Sequence, residues 1–322
     1  MSCCPLPAAR RALAAAPTNG GCSQGIDHDW ISVPAGTYRL GGEDDDANPH
    51  DGEGPVRDVR LSRFAIAATT VTNAQFEVFT RATGYRTEAE RIGWSFVFHD
   101  LVAPTARKRR GRVAGLNRWT AVYGACWRRP GGRGSHIADR KDHPVVHISW
   151  NDATAYCAWS GTQLPTEAQW EAAARGGLVG AKLPWGDELT PAGRHMCNVW
   201  QGRFPLEDSA QDGFHGTSPV RSFPPNGYGL FDMTGNVWEW CADWFGTDPR
   251  TRGGHDPVGP AAGSRRVVRG GSFLCHASYC NRYRVAARTS NEPNSASSNI
   301  GFRVVTVGST ALLAGCDIAK LD

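Results

Sequence analysis

The sequence predicts an α+β chain that is rich in loops and low in regular secondary structure. Its 322 residues include 38 glycines and 20 prolines, which interrupt most stretches before a long helix or strand can form. The helix and strand signals that remain are short and mixed along the chain. Hydrophobic residues make up 40% of a chain of this length, so the fold can bury a core without covalent cross-links.

Three short helices are predicted by their end signals. Each starts at a serine or threonine that is followed three residues later by a glutamine or an aspartate, a pair that can cap the first turn. Each stops at a glycine, which readily adopts the left-handed conformation that ends a helix. The predicted helices span residues 72–84, 149–161 and 166–177.

Short runs of β-branched and aromatic residues predict the strands. They lie at residues 30–33, 56–61, 145–148, 267–269 and 302–307. Long loops must connect these elements, and loops of that length in a compact domain are commonly functional or pinned by a ligand. We therefore expect metal sites in the loops.

The ten cysteines are spread along the chain, mostly singly, which is typical of a protein from a reducing compartment. We expect a cytoplasmic protein. Residues 1–25 lack the apolar core of a signal peptide, and no apolar run is long enough to cross a membrane. We therefore expect one domain at 26–308 between tails at 1–25 and 309–322, and no membrane partner.

The net charge of +4 is mild for this length and points to no polyanionic partner. The basic run 107–112 lacks interleaved aromatic residues, so we expect a solvated loop and no nucleic-acid partner. The acidic stretch 41–54 resembles a calcium loop only superficially, because Pro49 stands where an EF-hand needs glycine. We expect a second solvated loop there, and a monomeric protein.

Cys275 and Cys280 are the most informative pair, because regular structure cannot bring them together. A spacing of five places them on opposite faces of a strand and about 140° apart on a helix, so the chain between them must bend if they cooperate. The spacing does not fit a thioredoxin-type couple, and four ligands for zinc are lacking. Two thiolates suit Cu(I). A disulfide across a tight turn stays open, and spacing alone favours two unrelated buried thiols.

Two sets of oxygen donors lie in loop-like segments. Carboxylates at Asp232 and Glu239 flank the carbonyls of Gly235 and Val237, and hard oxygen ligands of this kind suit calcium. The alternative is that such residues form helix caps and Asx turns. A similar set of side-chain oxygens and carbonyls is offered by Asn198, Val199, Asp212 and Phe214.

His143 and His147 would share one face of the predicted strand at 145–148. They are candidate metal ligands, although a pair that simply lines a strand is the more ordinary interpretation.

The chain resembles the formylglycine-generating enzymes, also called sulfatase-modifying factors, from residue 30 to residue 307. The resemblance begins with ISVPAGTYRLGG. It is carried further by HPVVHISWNDATAYCAWSG, QLPTEAQWEAAARGG, LPWGDEL, CNVWQGRFP, DGFHGTSPVRSFPPNGYGLFDMTGNVWEW, RGGSFLCHASYCNRYRVAAR and SNIGFRV.

This resemblance implies a variant of the C-type-lectin-like fold and an oxygenase. Its substrate would be the cysteine of a Cys-x-Pro-x-Arg motif in unfolded sulfatase chains, which it would convert to formylglycine with O2 as co-substrate and a thiol reductant. Cys275 and Cys280 would hold Cu(I) and leave a third position for the substrate thiol.

The resemblance also implies roles for further residues. Ser272 and Tyr279 would be catalytic residues near the copper, and Trp238 and Asn299 would line the substrate pocket. Two structural Ca²⁺ sites are implied at the two oxygen sets, the first formed by Asn198, Val199, Asp212 and Phe214 and the second by Asp232, Gly235, Val237 and Glu239.

The chain departs from secreted members of that family, which close structural disulfides. Cys157 falls at one such position, but Val304 stands at its partner position. A second pair is replaced by Ala174 and Val285. These departures agree with the expectation of a cytoplasmic, bacterial-type member.

Two rival functions use the same fold. A non-catalytic binding or scaffold protein would be expected to lack a member of the cysteine pair, and both are present. An iron-dependent sulfoxide synthase would need a helical domain and a His-x-x-x-His-x-Glu motif, whereas Ser149 stands at the place of the acid.

Overall fold

The computed structural model describes residues 26–106, 110–112 and 118–306. Both predicted tails lie outside these ranges, so the predicted domain limits stay predictions. Within the described ranges, no helix has the length and apolarity needed to cross a membrane.

The described helices are short and begin at capping boxes. The three predicted helices are confirmed, each with a Thr or Ser cap at the predicted position and a glycine in the left-handed conformation at its end. A fourth was missed, although Thr87 and Glu90 form the same capping box. The helices are α1 Asn73–Thr83, α2 Glu88–Ile92, α3 Trp150–Ser160 and α4 Glu167–Arg175.

The described strands are two to seven residues long and are joined by irregular segments. They are β1 Trp30–Val33, β2 Gly36–Leu40, β3 Arg57–Leu61, β4 Phe64–Ala67, β5 Trp94–Phe98, β6 Arg110–Arg112, β7 Trp119–Tyr123, β8 Gly202–Arg203, β9 Glu207–Asp208, β10 Trp238–Trp244, β11 Gly254–His255, β12 Arg266–Arg269, β13 Arg288–Asn291, β14 Ile300–Gly301 and β15 Val305–Thr306. Short 3₁₀ turns lie at Pro49–Asp51, His99–Leu101, Pro104–Ala106, Pro191–Gly193 and Pro249–Thr251.

A four-stranded sheet in the order β13-β12-β10-β14 supports the loops discussed below. In it β10 pairs antiparallel with β12 and parallel with β14. The other described sheets are β1-β4-β15, β11-β3-β2, β5-β7-β6 and the two-stranded β8-β9. The resulting α+β, loop-rich architecture is the predicted fold class.

Most strand predictions are confirmed within a residue or two. The prediction of a strand at 145–148 is wrong, because His147 has a φ of 60° and the backbone there turns instead of extending. The prediction at 302–307 is shortened to β15, and residue 307 lies outside the described ranges. The expected basic loop is also corrected, because its described part, Arg110–Arg112, is the edge strand β6.

A buried ion network ties α4 to the four-stranded sheet. Glu167 accepts hydrogen bonds from Arg288 at 2.6 and 2.7 Å and from Arg269 at 3.0 Å. Glu171 binds Arg269 and Arg175, each at 2.7 Å. The side chains in these pairs are at most 5% exposed, so water does not screen the charges.

The network sets the acid stability of the fold. Burial alone would raise the pKa of Glu167 and Glu171, but the surrounding guanidinium groups outweigh it and hold both pKa values at about 2. This stabilisation is present above the unfolded-state pKa of about 4.3. It is lost as the pH falls from there toward 2.

We predict that Arg269→Met destabilises the fold by about 3–5 kcal/mol, because it leaves buried carboxylates with fewer cations. Urea unfolding of the variant and the parent measures the difference. Arg250→Met is the control, since Arg250 pairs with Asp248 on the surface and should matter far less. Equal losses in the two variants would contradict the role given to the network.

Candidate metal centre

The connection from β12 to β13 carries both cysteines and bends sharply between them. The carbonyl of His276 accepts backbone hydrogen bonds from Tyr279 at 3.0 Å, Cys280 at 3.1 Å and Asn281 at 3.2 Å. The His276 side chain supports the same turn through Ser278 at 2.7 Å. The bend that any cooperation of the two thiols requires is therefore present.

The two cysteines are anchored differently. Cys275 is fully buried in the largest hydrophobic cluster, whereas Cys280 is half-buried at the edge of the same cluster. Burial first raises the pKa of Tyr283 to about 12, and the nearby Cys197, Cys275 and Cys280 add to the rise. Tyr283, Cys197 and Cys275 lie in the same hydrophobic cluster, and Cys280 packs against it. Sequence reasoning did not identify Tyr283 or Cys197 as members of this cluster.

A glycine makes room for the buried thiol. Gly271 has a φ of +73°, and a Cβ placed on it would lie 3.2 Å from the sulfur of Cys275 and 3.0 Å from backbone atoms of Arg282 and Tyr283. No larger residue fits there without moving the thiol or the chain that follows Cys280.

Of the other predicted site residues, three are buried and one, Tyr279, is partly exposed. Ser272, Asn299 and Trp238 are each 0% exposed. The Asn299 side-chain amide donates to the Ser272 hydroxyl at 3.0 Å and accepts from Ser297 at 2.7 Å, so these side chains support one another behind the cysteines. Trp238 packs in the same hydrophobic cluster as Cys275, so it has a place in the core.

Tyr279 is the partly exposed member. Its ring stacks on Phe204, with centroids 4.2 Å apart and planes 23° apart. A cavity of about 250 Å³ opens beside the same turn, between His276, Ala277 and Tyr283 on one side and Trp200 on the other. A small molecule or a peptide side chain can reach the turn from this cavity.

The first oxygen set lies next to the cysteines and fits a hard cation. Gln201 connects two of its members, donating to the Val199 carbonyl and accepting from the Asp212 backbone at 2.9 Å. One carboxylate oxygen of Asp212 is buried and has no hydrogen-bond partner within the described residues, and burial raises the pKa of this carboxyl. An oxygen in that state is a suitable ligand for calcium.

The remaining members of that set are close by. The side chain of Asn198 is buried and donates to the Gly216 carbonyl at 2.9 Å. The backbone of Phe214 donates to the other Asp212 oxygen at 3.0 Å. Trp200, which directly follows Val199, donates to the carbonyl of Cys275 at 3.1 Å, so this loop contacts the cysteine segment directly.

The second oxygen set fits a cation less well. The prediction of an irregular turn is wrong for Glu239, which lies on the buried strand β10. Its carboxylate accepts from Arg303 at 2.7 and 2.8 Å and from the Trp170 indole at 2.7 Å. Burial first raises the pKa of Asp232 to about 6, with Glu239 adding to the rise and Arg303 opposing it. A guanidinium therefore already supplies positive charge between these two acids.

Gly235 and Val237 belong to this set through their carbonyls, and Gly235 joins the two sets. A Cβ on Gly235 would lie 2.2 Å from the Asn198 carbonyl oxygen, so the two loops touch through their backbones.

The two candidate histidines do not form a metal site together. His143 contacts Thr217 at 2.9 Å, whereas the ring nitrogens of His147 contact Ser95 at 2.8 Å and the Pro130 carbonyl at 2.9 Å. The expected shared face does not exist, because the segment is not a strand. Among the described residues, no cluster of three or more His, Cys, Asp or Glu side chains is positioned to hold a metal.

Comparison with known proteins identifies the family. The model of the sulfatase-modifying factor enzyme 1-like domain matches residues 22–307. A protein of Thermomonospora curvata named formylglycine-generating enzyme is 59% identical over 286 residues, which cover 87% of this chain and 94% of that protein. A mouse protein named inactive C-alpha-formylglycine-generating enzyme 2 is 47% identical over 280 residues, covering 86% of this chain and 85% of that one.

Among solved structures, PvdO from Pseudomonas aeruginosa resembles this chain with a TM-score of 0.62 and 25% identity. The similarity covers 86% of this chain and 93% of PvdO. The chain therefore shares its fold with PvdO.

We predict that Gly271→Ala is more harmful than Gly84→Ala. Both glycines have positive φ, so each substitution costs about 1–2 kcal/mol for the left-handed backbone. Only Gly271 faces close neighbours, because nothing lies within 4 Å of a Cβ on Gly84. Crowding should add about 1–3 kcal/mol to the unfolding free energy lost at Gly271. Equal losses in urea unfolding would show that space beside Cys275 is not limiting.

Proposed function

The chain belongs to the sulfatase-modifying-factor family of formylglycine-generating enzymes, and from that premise we propose that it is a peptidyl-cysteine oxidase. Its substrate is the cysteine of a Cys-x-Pro-x-Arg motif in an unfolded sulfatase chain, and its product is formylglycine. The observation that supports this proposal is the turn between Cys275 and Cys280, where His276 and Ala277 line an open cavity together with Tyr283.

The reaction balances with one O2 and two external thiols. The β-carbon of the substrate cysteine gives up two electrons, and the thiols give up two more as they join in a disulfide. The products are the aldehyde, hydrogen sulfide, water and that disulfide. The proposal therefore requires a site that binds a thiol and activates O2.

The residues present fit a cuprous ion. Two soft thiolates are donors that Cu(I) favours, and a bound Cu(I) would supply O2 activation and a position for the substrate thiol. Cys275 and Cys280 would hold the ion. Ser272 and Asn299 keep the segment before Cys275 in place through their hydrogen bond, and Tyr279 lies at the exposed side, where a substrate arrives.

Binding without catalysis is the second candidate function. It is favoured by the mouse relative, whose name describes it as inactive although it is 47% identical to this chain. Both candidates predict that a sulfatase peptide binds, and only the first predicts that the peptide changes.

We also propose a cytoplasmic location, which the state of the cysteines supports. Besides Cys275 and Cys280, four buried cysteines among the described residues take no part in disulfides: Cys126, Cys157, Cys197 and Cys241. Cys157 and Val304 pack in one core cluster, and Ala174 and Val285 pack in another. Apolar packing thus occupies the places at which secreted relatives are expected to have disulfides.

We predict that Cys275→Ser and Cys280→Ser each abolish aldehyde formation, because one thiolate cannot replace two as a soft ligand pair. A peptide containing Cys-Thr-Pro-Ser-Arg is incubated with copper-loaded protein, a thiol and air, and mass spectrometry follows the loss of sulfur. Cys126→Ser, which changes a buried cysteine elsewhere, is the matched control and should keep the parent activity.

Full turnover by either site variant would overturn the copper role. An unchanged peptide with the parent protein, when copper is shown to be bound, would favour binding without catalysis.

We predict that calcium stabilises the fold through the first oxygen set. At a calcium concentration 100 times Kd, the gain is about 2.7 kcal/mol, and Asp212→Asn should remove most of it. Thermal unfolding with calcium and with chelator measures the effect. Glu207→Gln, at an exposed acid of β9, is the control.

Glu239→Gln shows which of the two oxygen sets is responsible for stabilisation by calcium. It should destabilise the fold with or without calcium, because Arg303 loses its partner. A calcium gain that disappears with Glu239→Gln and persists with Asp212→Asn would reverse this assignment.

A further inference from the structure

The acidic loop 41–54, between β2 and β3, contacts the cysteine segment. The sequence predicted a solvated loop, and this is wrong for its carboxyl-terminal half, where Glu53 is only 1% exposed. Gly52 also approaches another loop closely, since a Cβ on it would lie 3.0 Å from Thr247. A segment that buries an acid in this way has a structural partner.

That partner is the chain immediately after Cys280. Three side chains of the loop bind three side chains of this segment, in an order that runs parallel along both. The pairs are Asp46 with Asn281 at 3.0 Å, Asp51 with Arg282 at 2.6 Å, and Glu53 with Arg284 at 2.8 and 3.0 Å.

The burial of these contacts increases away from Cys280. Asp46 is exposed, Asp51 and Arg282 are 14% and 12% exposed, and Glu53 and Arg284 are 0% and 5% exposed as side chains. Charge-assisted bidentate contacts in a buried setting fix geometry as well as position. The segment is therefore held firmly at Arg284 and more loosely at its junction with Cys280.

The loop itself is anchored to the buried ion network. The backbone of Gly41 donates to Glu171 at 2.7 Å and accepts from Arg175 at 2.8 Å. At the other end, Arg288 donates to the Asp51 carbonyl at 2.9 Å. A loop fixed at these two places can resist displacement of the segment that it holds.

From these contacts we propose that loop 41–54 is a positioning strap for Cys280, a role that rests on the proposed function of the cysteine pair. Cys275 is set by the hydrophobic core, whereas Cys280 follows an exposed turn, Ala277 and Ser278. The strap fixes the chain directly after Cys280 and so sets where its sulfur lies relative to that of Cys275.

The test measures how mobile the turn at 276–284 is in the metal-free protein. The variant Asn281→Ala removes one strap contact, Asp51→Asn removes the charge that assists a second, and Glu53→Gln removes the buried charge of the third. Asp45→Asn is the matched control, because it makes the same charge change in the same loop and Asp45 takes part in none of the three pairs. Hydrogen exchange of residues 276–284 and the rate of Cys280 alkylation by iodoacetamide are recorded for each protein.

We expect alkylation of Cys280 and exchange in 276–284 to become about tenfold faster in the strap variants, as the loss of one charge-assisted bond implies. The control should match the parent. If Glu53→Gln does not fold, the two variants at less buried positions still decide the question. Rates equal to those of the control in Asp51→Asn and Asn281→Ala would overturn the strap.

Cu(I) affinity, measured by competition with a chromogenic chelator, separates the strap from the proposed function. Weaker Cu(I) binding in Asp51→Asn and Asn281→Ala, at a thermal stability like that of the control, supports the positioning role. Parent-like Cu(I) affinity in variants whose turn has loosened would overturn it. A parent protein that binds no Cu(I) overturns the proposed function, while the exchange and alkylation rates still decide whether the loop holds the turn.

Discussion

The carboxylate of Glu167 is the interaction on which the architecture around the site depends. It binds Arg269, the last residue of β12, and Arg288, the first residue of β13, and these two arginines face each other across the sheet. The segment that carries Cys275 and Cys280 begins after one of them and ends before the other. A single buried acid on α4 thus closes both ends of the connection, and the bend between the cysteines forms within fixed limits.

Further contacts define the interior of that connection from opposite sides. On one side, the loop that begins at Asn198 reaches the Cys275 carbonyl through Trp200. On the other side, Arg288 extends past Glu167 to the backbone of loop 41–54, which holds the chain after Cys280. The site therefore depends on loops. Loop 41–54 is attached directly to the buried network, whereas the loop that begins at Asn198 is attached to the cysteine connection that the network closes. Loops held in this way can be as well defined as strands.

The sequence predicted those features whose signals lie within a few residues of one another. Helix caps involve residues three positions apart, so Thr72, Ser149 and Thr166 identified their helices correctly. The prediction of a strand at 145–148 was wrong, because His147 has a left-handed backbone conformation. Its side chain contacts Ser95, which is distant in the sequence, so no local signal indicated this conformation.

The site shows the same division between local and distant signals. The two cysteines stood out in the sequence, but their spacing alone favoured two unrelated buried thiols, and only the family resemblance implied a copper site. The contacts around the cysteines could not be predicted. Glu53 and Arg284 are 231 positions apart, and no local sequence pattern indicates that they pair. The acidic loop was misjudged for this reason, as its composition alone is that of a solvated segment.

The chain fixes its loops with charge and its core with apolar packing, and the two choices have different consequences. At positions where cross-links are expected in secreted relatives, Val304 lies with Cys157 and Val285 with Ala174, which gives cohesion without dictating one geometry. Buried ion pairs add less net stability than apolar groups of the same size, since both charges must be desolvated. What they provide is direction, because a guanidinium binds a carboxylate in a planar, two-point contact. The copper site proposed for Cys275 and Cys280 would need direction more than added stability, and the buried arginines around this connection supply it.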